Sequence, residues 1–78
     1  MLGQLTHHQV FKMSRLGVLL KLVADTLSAF EAETVRAVLT RWLDDGRETL
    51  ITDSEWVVLD DAMAAMDAAK IARFGRAA

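Results

Sequence analysis

Apolar residues recur at Val10, Met13, Leu16 or Gly17, Leu20, Val23 and Leu27. Steps of three and four repeat with the turn of an α-helix. Just ahead of this run stand Thr6 and Gln9, spaced as a capping box in which two orphan backbone donors find side-chain acceptors. The pattern predicts a first helix over residues 7–26.

The same start signal returns twice, as Ser28 with Glu31 and Thr52 with Glu55. After Ser28, the residues Val35, Val38, Leu39, Trp42 and Leu43 form one stripe, and Asp44-Asp45-Gly46 supplies a stop whose glycine suits a left-handed cap. A second helix is expected over residues 30–44. The segment GRETLI reads as a loop, in which Ile51 can pack on Trp56 as a hydrophobic staple. The third helix should span residues 53–73 and end near Gly75. Nothing alternates with period two, and no linker or internal repeat divides the chain. The expectation is an all-α fold, a single domain over residues 1–78, with neighbouring helices joined closely enough to pack antiparallel.

Two seams run along the third helix. One is Leu59, Met63 and Met66; the other is Val58, Ala62, Ala65, Ala69 and Ala72, small enough to admit a close neighbour. That neighbour can be intramolecular core or a second subunit, and both readings stay open. Asp53, Asp60 and Asp67 stand at heptad intervals with Asp61 beside them, and are expected on a solvated face.

The stretch RLGVLLKLVADTL, residues 15–27, contains seven large aliphatic side chains, arranged around nearly the whole helix axis. A helix that is apolar all round is buried all round. Two partner helices of modest length are expected to cover Val10, Met13, Leu20 and Leu27, leaving Leu16, Leu19, Leu22 and Val23 for a homodimer interface. With 78 residues and no cysteine, the domain has a shallow core and no disulfide to reinforce it, which also favours a second chain.

The formal net charge is −2, but the charges are segregated. Residues 1–24 carry Lys12, Arg15 and Lys21 and no acid, all eleven acids fall within residues 25–69, and Lys70, Arg73 and Arg76 close the chain. Such separation can orient encounters or pair the two chain ends with the acidic middle. The absence of cysteine and of a signal peptide or membrane-length apolar run suggests a soluble, cytoplasmic protein.

No residue set carries recognisable chemistry. His7 and His8 point about 100° apart on a helix and lack ligands at i+4, so no metal site is expected. Asp44-Asp45 and Asp60-Asp61 diverge in the same way and do not make a catalytic pair. The serines lack a nucleophile elbow, and no glycine-rich phosphate loop is present. The chain reads as a non-enzyme without cofactor.

A helix-turn-helix reading fails on charge, since Asp53 and Glu55 would meet phosphate at the start of the recognition helix. Lys12, Arg15, Arg73 and Arg76 could still gather into one basic patch. The segment TDSEWVVLDDAMAAMDAA resembles the corresponding segment of the small Hha-type nucleoid-associated modulators, which share a Ser/Thr-Asp-x-Glu helix start followed by apolar and alanine-rich positions. The resemblance covers under a quarter of the chain, and no function is carried over from it.

The functional expectation is a small homodimeric helical-bundle protein, a protein–protein interaction module that binds and regulates or inhibits a larger protein partner. Mobile-element or phage-type inhibitors of a host factor are examples of this class. Asp60, Asp61 and Asp67 are its expected partner-binding residues. The alternative is a DNA-associated transcriptional modulator; a membrane partner is not expected.

Overall fold

The computed structural model describes residues 4–75, which form three α-helices: α1 (His7–Val23), α2 (Ala29–Asp45) and α3 (Asp53–Phe74). Each helix begins at a complete capping box. The side chains of Thr6, Ser28 and Thr52 accept from the amides of Gln9, Glu31 and Glu55, and those three residues reach back to the cap amides. The first helix is shorter than expected, because Ala24–Thr26 tighten into a 3-10 turn after a break in backbone geometry at Val23. Thr26 Oγ1 donates to the Val23 carbonyl there, satisfying a group the helix end would otherwise leave open. Gly46, at φ 58°, ends α2 while its amide donates to the Trp42 carbonyl. The left-handed φ is readily available to glycine.

The helices run up, down and up. As α2 reverses the chain twice, α1 and α3 lie parallel, and cross-links between them keep nearly constant register: Lys12 with Asp60, Arg15 with Asp67, and Asp25, just past α1, with Arg73. The core between the helices consists of Met13, Leu16, Leu19 and Val23 from α1, Val35 and Val38 from α2, and Leu59, Ala62 and Met66 from α3. Leu5 joins it from the segment ahead of α1. Full burial of a leucine or methionine side chain stabilises by about 1.5–3 kcal/mol relative to exposure.

This core corrects the expected enclosure of α1. Leu16, Leu19 and Val23 are fully or almost fully buried within one chain, so no second subunit is needed to cover them; among the four expected interface residues only Leu22 is open, at 42% exposure. The third helix does the covering, since its buried line takes Leu59 and Met66 from one expected seam and Ala62 from the other. Ala69 is half-buried, whereas Ala65 and Ala72 face solvent. On α2 the expected stripe ends early: Leu43 is 81% exposed, one residue and about 100° beyond the half-buried Trp42.

The lower end of the bundle is closed by polar contacts. Arg41 donates to the Leu50 carbonyl and to the Glu55 carboxylate, tying α2 to the start of α3. Thr49, almost fully buried, donates toward the Gly46 and Arg41 carbonyls. The Leu5 amide donates to the Arg47 carbonyl, and the Arg47 guanidinium donates to the Leu5 carbonyl. Ile51 and Trp56, the expected staple pair, line one small cavity at this end and both pack against the core.

Candidate docking groove between the first two helices

Toward α2, α1 presents Ser14, Gly17, Val18 and Lys21 at steps of three, one and three. Two of these are small, so α2 and α1 do not close over one another along this line. The result is an open groove of about 630 Å³. Met13, Leu20, Leu39 and Trp42 are its buried and half-buried walls; Val18 and Leu43 stand exposed at its edges, joined by Lys21 and Arg36. A Cβ built on Gly17 meets nothing within 4 Å, so the space above that glycine is open.

A shallower depression lies on the other side of Val18. Ser14, Arg15, Val18, Leu19 and Lys70 line it, between α1 and α3. Val18 is therefore a ridge shared by two hollows, and Phe11 and Leu22 extend the same exposed apolar line along α1. The sequence carries a signal for this groove in Ser14 and Gly17, small residues three apart on a helix otherwise rich in large aliphatics.

The expected partner-binding acids are differently employed. Asp60 accepts from the Lys12 ammonium at 2.8 Å, and Asp67 accepts from Arg15. Both lie along the α1–α3 seam, so they join helices instead of forming a free acidic face. Their partial exposure limits each pair to roughly 0.2–1 kcal/mol. Asp61 is exposed and unpaired among the described residues. Lys12 also lies 5.5 Å from the Trp56 ring centroid, a cation–π distance.

The basic residues that could gather into one patch are paired instead, since Lys12, Arg15 and Arg73 each have a carboxylate partner; Arg76 lies outside the described residues. The chain ends do pair with the acidic middle, as the charge segregation allows. Asp25 is held below its ordinary pKa chiefly by the Arg73 hydrogen bonds, and the Arg73 pKa is raised in return. Glu55 is lowered first by the Thr52 amide and then, against an opposing effect of burial, by Arg41.

Among the described residues, no three His, Cys, Asp or Glu side chains converge on a point that could hold a metal ion. His7 and His8 are both exposed at the start of α1. Ser28 is occupied as a helix cap, whereas Ser14 is exposed in the groove wall. No described helix is long and apolar enough to cross a membrane. No protein-family model matches the chain, and no curated protein or solved structure matches it.

Proposed function

We infer that this chain is an interaction module that regulates or inhibits a larger protein by receiving a helix of that protein in the α1–α2 groove. The groove carries the reading: an apolar trough of about 630 Å³ between two helices, with Val18 and Leu43 raised at its edges and Trp42 in its wall. An amphipathic helix lays its apolar face into such a trough through residues spaced three and four apart. Burial of the edge residues against the visitor supplies the driving force.

Capture from cell extract by wild-type protein and by a Val18→Glu, Leu43→Glu double variant tests this reading. Both positions are exposed, so circular dichroism should be unchanged by the substitutions. The expected result is a protein retained by wild type, lost with the double variant, and changed in its own activity when the module is added. Equal capture by both forms would exclude the groove. Binding that is instead lost steeply with rising salt and carries DNA would favour the transcriptional-modulator reading.

A further inference from the structure

We propose that the helix received by the α1–α2 groove is acidic, an amphipathic segment with Glu or Asp flanking its apolar stripe. The proposal rests on the groove reading above and adds the chemistry of the occupant. It follows from how charge is distributed in a protein whose net charge is negative. The linings of the groove and of the neighbouring depression contain Arg15, Lys21, Arg36 and Lys70 and no aspartate or glutamate. Arg15 is occupied by Asp67. Lys21, Arg36 and Lys70 are exposed and, among the described residues, have no carboxylate within ion-pair distance.

Four cations in the bundle show a different use, while Arg47 donates to the Leu5 carbonyl. Lys12, Arg15, Arg41 and Arg73 each meet an acid on another part of the chain. Four carboxylates thus serve the chain's own joints, no acid lines the apolar trough, and three cations around it have no carboxylate partner among the described residues. Antiparallel α1 and α2 bring Lys21 and Arg36 toward the same end of the groove, while Lys70 stands across the Val18 ridge. An occupant with carboxylates at that end and along one flank meets all three, whereas a basic helix meets only like charge. Complementary rims of this kind select partners and speed encounter more than they tighten binding.

Three synthetic peptides with the same leucine stripe and no tryptophan test the proposal, with Glu, Gln or Lys at the flanking positions. Binding to the full chain is read by anisotropy of a labelled peptide and by tryptophan emission, which changes through Trp42 in the groove wall while Trp56 lies outside it, at low and at high salt. The Glu peptide should bind roughly two- to 150-fold more tightly than the Gln peptide, from two to three exposed ion pairs, and the Lys peptide more weakly than either. High salt should narrow the difference. A Lys21→Glu, Arg36→Glu variant, altered only at exposed positions, should reverse the order while keeping its helical spectrum.

Equal binding of all three peptides overturns the acidic occupant and leaves the groove reading standing. Binding of none removes both. Tighter binding of the Lys peptide to wild type, or an unchanged order in the variant, also overturns the proposal. So does self-association, shown by light scattering with cross-links at Val18 and Leu43, which would make a second copy the occupant.

Discussion

Arg73 holds Asp25 through two parallel hydrogen bonds of 2.8 Å each, fastening the last turn of α3 to the bend that follows α1. The pair lies in solvent and its energy is correspondingly screened. Its value is geometric: a fork-to-fork contact fixes direction as well as distance.

Acid should loosen the bundle through two carboxylates. Asp25 and Glu55 both have lowered pKa values in the folded chain, so their contributions are complete above the ordinary carboxylate range of about 3.9–4.3. They are lost as pH falls through the lower folded-state values. Urea unfolding between about pH 6 and pH 3 should show a falling midpoint. Glu55→Gln preserves an acceptor for the Thr52 amide but removes one titrating group, and should flatten the acid slope. An unchanged slope would mean that Glu55 does not link protonation to folding.

Leu19 and Leu22 differ by less than a helical turn and should differ sharply in tolerance. Leu19 is 2% exposed, so Leu19→Glu places an unpaired carboxylate in the core, a cost of several kcal/mol against a typical domain stability of about 5–15 kcal/mol. Circular dichroism and a denaturant titration should show the variant largely unfolded. Leu22→Glu should remain folded with a change within about 0.5 kcal/mol. A folded Leu19→Glu would contradict the core assignment.

Gly17→Ala should stabilise the protein. The position is mid-helix, and the added Cβ has no neighbour within 4 Å. Exchange of glycine for alanine in a helix interior favours folding by roughly 0.8–1.0 kcal/mol. A raised denaturation midpoint with unchanged m-value checks this. A loss of stability would show that α1 and α2 approach more closely at the groove than the open space above Gly17 indicates.

The parts of the fold legible in the sequence are those set by residues within one turn of each other. Thr6, Ser28 and Thr52 cap helices because their partners sit three residues away, and Gly46 stops α2 through its own backbone. Which side of α1 turns inward is not a local property. Leucine or valine occupies most directions around that helix, so periodicity alone does not choose Leu16 and Leu19 over Leu22; packing against the Leu59, Ala62 and Met66 line does. The ion-pair partners of the heptad acids are hidden from the sequence for a related reason. Asp60 and Asp67 look like a solvated face until α3 is laid parallel to α1, whereupon Lys12 and Arg15 lie opposite them. The groove itself was written in Ser14 and Gly17, but its meaning depends on where α2 passes.

The parallel arrangement of α1 and α3 imposes an order on maturation. Lys12 and Asp60 are separated by forty-eight residues, so the surface that covers Leu16, Leu19 and Val23 is made only after α1 and α2 have both emerged. Until then, a nascent α1–α2 hairpin carries an uncovered leucine face, the kind of surface that invites aggregation or chaperone capture. Release of a chain truncated before α3 would yield a sticky species instead of a smaller bundle. Docking of α3 on α1 is thus the step that removes this exposed face.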